Sequence, residues 1–234
     1  MNGYQNYYNQ TGAALDSKVS QVMKRVYVKM FLALLVTAFV SLFCASSHAV
    51  QQIFFSSRAF MWGVLIVELI LVFAISGAIN KLSSGTASLL FYIFAVVNGL
   101  ALFPIFLVYT QVSIAKTFFI TAGTFGAMSI YGYFTSQDLT KWGSILIMAL
   151  FGLIICSVVN IFWANSTFEW IISAAGVLIF IGLTAWDTQK IKQMAAMAPA
   201  ETTSKLATIG ALSLYLDFIN LFLYLLRFFG NNRD

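Results

Sequence analysis

An all-α integral membrane protein with seven transmembrane helices is the fold class that this sequence predicts, and three observations predict it. Of its 234 residues, 60% are hydrophobic and 9% are charged, against roughly 25% charged in soluble domains. The apolar residues gather in runs of about 20, the length that crosses a bilayer. The basic residues collect in short connections between those runs. The net charge of +5 is then explained by Lys and Arg held on one side of a membrane, and nucleic acid is not an expected partner. Cys44 and Cys156 both fall inside apolar runs, without metal-ligand spacing, and read as free packing thiols.

The chain opens on Asn, Gln and Tyr, which lack helical apolar periodicity and predict a disordered cytoplasmic tail over residues 1–20. Residues 21–234 then form a single membrane domain. The opening stretch also lacks the features of a secretory signal. The first span, 26–47, follows Lys18, Lys24, Arg25 and Lys29, a cluster that puts the N-terminus in the cytoplasm. His48, Gln51, Gln52 and Arg58 make an outer connection, with His48 as an interfacial residue. The second span, 59–79, carries Glu68 and returns at Asn80, Lys81 and Ser84.

The third span, 89–109, contains Asn98, Gly99 and Pro104, and the proline predicts a kink. In the fourth, 116–133, Ala122, Gly123, Gly126, Ala127 and Ser129 read as a close-packing face. Residues 135–141 follow as a loop with Thr135 and Asp138 at capping-box spacing. The fifth span is 142–163, and the turn after it includes the sequon Asn165, Ser166, Thr167. The sixth, 170–190, aligns Asp187 with Ser173, Gly176, Phe180 and Thr184. A loop over 193–204 leads to the seventh, 210–230. Nine basic residues then lie inside and four, Arg58, Lys116, Arg227 and Arg233, outside, a bias that supports a periplasmic C-terminus; a re-entrant last segment would instead leave it inside and strengthen the bias.

Three acids lie within these spans: Glu68, Asp187 and Asp217. An ionised carboxylate at bilayer depth is costly unless paired, hydrated or neutralised, so each is a functional candidate. Asp217 is the only charge between Lys205 and Arg227, and Gly210, Ser213, Asp217, Asn220, Tyr224 and Arg227 form one stripe of the last helix. Such a helix suits a position wrapped by others. Carboxylates with the Asn220 carbonyl make a weak oxygen site for Ca²⁺, suited to permeation rather than storage. Two acids close together in a low dielectric tend to share a proton, which makes them a pH-sensitive latch. The bland alternative is snorkelling or local hydrogen bonding, strongest for Asp187 beside Lys190. Depth opposes the pair: Asp217 lies roughly 18 Å along its helix from Lys205 and Asp187 only about 5 Å from Lys190, so they meet only if the sixth helix continues past the membrane edge or if Lys205 lies well out in the cytoplasm.

Residues 211–230 (ALSLYLDFINLFLYLLRFFG), 182–192 (GLTAWDTQKIK), 129–143 (SIYGYFTSQDLTKWG) and 99–106 (GLALFPIF) resemble the Bax inhibitor-1 family, also called the transmembrane Bax inhibitor motif family, and in particular its bacterial inner-membrane members. The resemblance implies a central C-terminal helix wrapped by two three-helix layers, and a pH-sensitive calcium leak. It places a di-aspartyl latch on Asp187 and Asp217, which also make a transient calcium site, and matches the family's second-helix acid to Glu68. The family's basic latch partner has no clear match, and Lys81 is the nearest candidate. Calcium enters as the permeant ion, with protons as regulators and no cofactor.

The alternative function is a non-conducting membrane regulator that binds a membrane-bound protease or another membrane protein, with the polar N-terminus as its contact. Catalysis is not expected. Intramembrane aspartyl proteases carry Gly-x-Gly-Asp around the second acid, and here Leu214, Tyr215 and Leu216 precede Asp217.

Overall fold

The computed structural model describes residues 2–79 and 81–231, with side chains from residue 14 onward; Asn80 and Arg233 lie outside the described residues. The described chain is helical throughout, in the order α1 (Asn2–Ser46), α2 (His48–Ser56), α3 (Arg58–Gly77), α4 (Ser84–Leu102), α5 (Ile105–Val108), α6 (Gln111–Phe134), α7 (Thr140–Trp163), α8 (Ser166–Met197), a 3₁₀ turn (Ala200–Thr202) and α9 (Thr203–Phe229). Among the described residues, six segments are long and apolar enough to cross a membrane: Ala14–Ser46, Arg58–Gly77, Ser84–Val108, Thr140–Trp163, Ser166–Met197 and Ala200–Phe229. The expected fourth span corresponds to α6. It has the length, at 24 residues, but its composition is diluted by Ser113, Thr117, Thr121, Thr124 and Ser129.

α9 is the helix around which the rest gather. It packs against α8, α1, α6 and α4, while α3 leans on α4 and α7 on α8. Its burial explains its composition: Leu214, Tyr215, Leu221 and Leu226 are sealed from solvent on different faces. Helix association in lipid rests on close packing and on interhelical hydrogen bonds, and both are visible here. Gly99 of α4 lies so near α1 that an added Cβ would stand 2.8 Å from Thr37 O and from Val40 Cβ. Gly132 of α6 is pressed against the backbone of Ala185.

Several expectations are corrected. The stretch read as a disordered tail is covered by α1 from Asn2, and its later part is packed: Val19 is buried and Lys18 Nζ donates to the carbonyls of Ala196 (3.2 Å) and Ala198 (2.5 Å). The Asn/Gln/Tyr side chains of residues 2–10 lie outside the described ones. The same lysine explains why the expected 193–204 loop has almost vanished. α8 runs on to Met197 because a cation satisfies the carbonyls at its C-terminus, and Pro199 ends it.

The outer connection after α1 is itself a helix, α2, capped by Ser47, whose Oγ accepts from Val50 N at 3.5 Å. Pro104 does break the third span, separating α4 from α5. The small residues Gly123 and Gly126 face open space, with nothing within 4 Å of an added Cβ; the inward face of α6 is instead Ser113, Thr117, Thr121, Phe125, Ser129 and Gly132. Thr135 and Asp138 form no capping box: Thr135 Oγ1 accepts from Gln137 N, and Asp138 Oδ1 from Thr140 N (2.9 Å) and Thr140 Oγ1 (2.6 Å). Asn165 of the sequon caps α8 by accepting from Phe168 N at 2.8 Å.

Candidate acidic pair between α8 and α9

α8 and α9 run antiparallel, and side-chain contacts fix their register. Arg227 Nη1 donates to Ser173 Oγ at 3.4 Å, Tyr224 stacks on Phe180 at 5.9 Å and covers Gly176, and Gly210 lies under Ile191. Seven residues on from Gly210, Asp217 therefore comes opposite Thr184, seven back from Ile191. Asp187 stands only one turn further along α8, about 4.5 Å at 1.5 Å per residue. Helical side chains tilt toward their own N-terminus. In an antiparallel pair this brings Asp217 down toward Asp187 and Asp187 up toward Asp217, closing the offset. The continuation of α8 to Met197 corresponds to the first of the two conditions that depth imposed.

Asp217 is only 5% exposed, and its Oδ2 is buried without a hydrogen-bond partner. Asp187 is half-buried and is the charge that acts on Asp217, while Lys190 is the cation that acts on Asp187. Lys190 Nζ rests over the Trp186 ring at 4.6 Å. Lys81 lies exposed in the turn after α3. Asn220, three residues after Asp217, donates its Nδ2 to Leu216 O at 2.8 Å.

Glu68 belongs to a different cluster on another side of α9. Its Oε1 accepts from Asn98 Nδ2 at 2.7 Å, Tyr215 Oη donates to Asn98 Oδ1 at 2.9 Å, and Thr37 Oγ1 is 2.6 Å from Tyr215 Oη and 2.9 Å from Ala95 O. Two hydroxyl protons serve three contacts. The contact that can best do without one is Ala95 O, already an acceptor within α4, so the chain runs from Thr37 to Tyr215 to Asn98 to Glu68 with every donor aimed at the carboxylate. No group of three or more His, Cys, Asp or Glu is placed to hold a metal among the described residues. The three acids are thus divided into a pair and a singleton, on either side of one helix.

Sequence reasoning missed Tyr215. It is two residues from Asp217, about 200° round the helix at 100° per residue, in a row of leucines, and only knowledge of which helices flank α9 gives it a role. It also missed Gln189, which accepts from Leu139 N (2.8 Å) and donates to Gln137 O (2.7 Å), tying the loop before α7 to α8 near the acidic pair.

Residues 19–234 match the family model described as Inhibitor of apoptosis-promoting Bax1. The chain belongs to that family. This Bax inhibitor family member is 48% identical to the inner membrane protein YbhL of Escherichia coli K12 over 214 residues, covering 90% of this chain and 92% of the relative. It is 46% identical over 217 residues to a protein of Borreliella burgdorferi (92% and 94% covered) and 43% identical over 220 residues to protein RP147 of Rickettsia prowazekii (94% and 93%). The family match spans all three acids and the whole of α9.

Proposed function

We propose that this protein is a pH-sensitive calcium leak of the inner membrane, controlled by the Asp187 and Asp217 carboxyls between α8 and α9. Asp217 carries the reading. A buried carboxylate oxygen without a partner, in the middle of a membrane helix, is costly to maintain, and a neighbouring acid makes the cost greater. Such an arrangement is accounted for if the two carboxyls trade a shared proton for a cation. With one proton between them they hold α8 and α9 together; with none they repel, or bind a divalent cation whose remaining ligands are water and protein oxygens. Asn220 spends its amide nitrogen on Leu216 O, which makes its Oδ1 the end offered to the ion. Lys190 is placed to compete with that ion for Asp187, a role that Lys81 at its exposed position fills less directly.

In this reading α6 is a seventh span, and α1, α3, α4 and α6, α7, α8 form two three-helix layers around α9. The N-terminus is cytoplasmic and α9 delivers the C-terminus to the periplasmic side. Glu68 adds a third acid to the path, and no residue acts catalytically.

Reconstitution into liposomes containing a calcium dye tests the reading. Wild type should pass calcium with a pH-dependent rate, and Asp217→Asn should lose most of the pH dependence. Wild-type liposomes no leakier than empty ones would refute the leak and leave the regulator as the alternative. Unchanged flux and pH response in Asp217→Asn would refute the role of the pair.

A further inference from the structure

At the end of the bundle where α9 finishes, a polar vestibule of 530 Å³ opens among Tyr109, Glu169, Ser173, Arg227 and Asn231. Its one cation among the described residues is offset by an acid, since Arg227 Nη1 lies 3.6 Å from Glu169 Oε1. Asn231 N donates to Ser113 Oγ at 3.0 Å, so Ser113 of α6 stands directly behind Asn231, one of the residues that line the vestibule. From Ser113 the inward face of α6 continues with Thr117 and Thr121, one turn apart each, both fully buried. At the next turn Phe125 packs on Phe218, which Phe118 meets from the other side, each at 5.5 Å. Phe218 is therefore level with Thr121, and it adjoins Asp217 in sequence. The three hydroxyls cover about 12 Å at 1.5 Å per residue, from the vestibule to the level of the buried acid.

Hydroxyls inside a membrane helix ordinarily satisfy themselves on the carbonyl four residues back. Thr121, Thr124, Ser157, Ser173 and Thr184 all do so. Thr117 does not: its Oγ1 is buried and bonds to nothing. Among the described residues it shares that condition with a single other side-chain atom, Asp217 Oδ2. Packing alone does not explain a threonine that forgoes an acceptor always within reach.

We propose that Ser113, Thr117 and Thr121 form a third wall of the cation route, α6 joining α8 and α9, with Thr117 Oγ1 as the neutral oxygen that receives a partly dehydrated divalent cation between the vestibule and Asp217. Hard divalent cations take oxygen ligands, and a neutral hydroxyl lets an ion pass where a further carboxylate would hold it. The proposal rests on the leak reading above and adds the residues that connect its acids to one side of the membrane.

Two measurements on the full-length protein test it. In calcium-dye liposomes, Thr117→Val keeps the shape and removes the oxygen, and should lower flux about fivefold, the equivalent of one hydrogen bond of about 1 kcal/mol, with the pH profile unmoved; Thr117→Ser should retain wild-type flux. In a background with Cys44 and Cys156 replaced by Ala, Thr117→Cys should react with a membrane-impermeant thiol reagent added on the vestibule side, and calcium should slow that reaction. Flux in Thr117→Val equal to wild type, or a cysteine that never labels, overturns this assignment while the leak stands. Absence of wild-type flux overturns both.

Discussion

Tyr215→Phe removes one oxygen from the centre of the bundle, and its effect can be worked from the network it serves. Tyr215 is fully buried, and its hydroxyl stands between Thr37 (2.6 Å) and Asn98 (2.9 Å). Without it, Thr37 keeps a partner, because its proton falls back on Ala95 O at 2.9 Å. Asn98 Oδ1 has no such fallback. Interhelical hydrogen bonds in membranes are worth about 0.6 kcal/mol on average, and a buried acceptor stripped of its donor costs about 1–3 kcal/mol. Taking one bond and the low end of the second range gives a loss of about 1.5 kcal/mol. At roughly 2–4 °C per kcal/mol for a chain of this size, the unfolding midpoint in detergent should fall by about 3–6 °C, followed by tryptophan fluorescence. Tyr131→Phe is the control: its hydroxyl reaches only Gln137 Oε1 at 3.4 Å on an exposed surface, so its shift should be under about 1 °C. Combining Tyr215→Phe with Thr37→Val should give a loss different from the sum of the two by at least about 0.5 kcal/mol, as for residues in contact. A Tyr215→Phe variant within about 1 °C of wild type, or strict additivity with Thr37→Val, would refute the network.

Three further outcomes are expected. Gly99→Ala forces a methyl against Thr37 O and Val40 Cβ, neither of which can rotate away, and should destabilise by about 1–3 kcal/mol; Gly123→Ala, facing open space, should stabilise slightly by its helix propensity, about 0.5–1 kcal/mol, and thermal melts of the two should move in opposite directions. Lys18→Met removes the cation from the last carbonyls of α8, and hydrogen exchange over 193–203 should rise by the factor that about 0.3–1 kcal/mol implies. The exposed Asp138 carboxyl is held below its usual value of 3.8 by hydrogen bonds from the Thr140 hydroxyl and amide. A depressed folded value means that its contribution is present above the unfolded value and lost as pH falls through the folded one, so exchange of the Thr140 amide should quicken only below about pH 4; exchange independent of pH there, after correction for intrinsic chemistry, would count against those bonds.

The helices were legible because lipid imposes a simple rule, about 20 apolar residues per crossing, and the α9 stripe was legible because 3.6-residue periodicity carries Asp217, Tyr224 and Arg227 to one face. Asp187 and Asp217 were recognisable as costly, and their proximity became visible only with the register that Gly176, Tyr224 and Ile191 set. What could not be read lies wherever one residue answers to a distant one. Lys18 extends α8 by capping it from 178 positions away. The packing face of α6 was assigned to Ala122, Gly123, Gly126, Ala127 and Ser129; Ser129 does face inward, but Gly123 and Gly126 do not, and nothing in the local sequence tells that helix partners select the hydroxyl face. Tyr215 looked like filler for the same reason.

The helix at the centre is made after all the helices that pack around it. Until ribosomes deliver α9, Asn98 and Thr37 lack the tyrosine between them, Asp187 has no counterpart, and α1, α4, α6 and α8 have an empty middle rather than a shared one. Chains grow from the N-terminus and fold as they emerge, so this bundle cannot close from its beginning; it must wait, loosely gathered in the membrane, for its keystone. Truncation before residue 203 would therefore yield an unsealed bundle presenting polar faces to lipid rather than a smaller version of the protein, and cellular proteolysis of membrane proteins should clear it quickly.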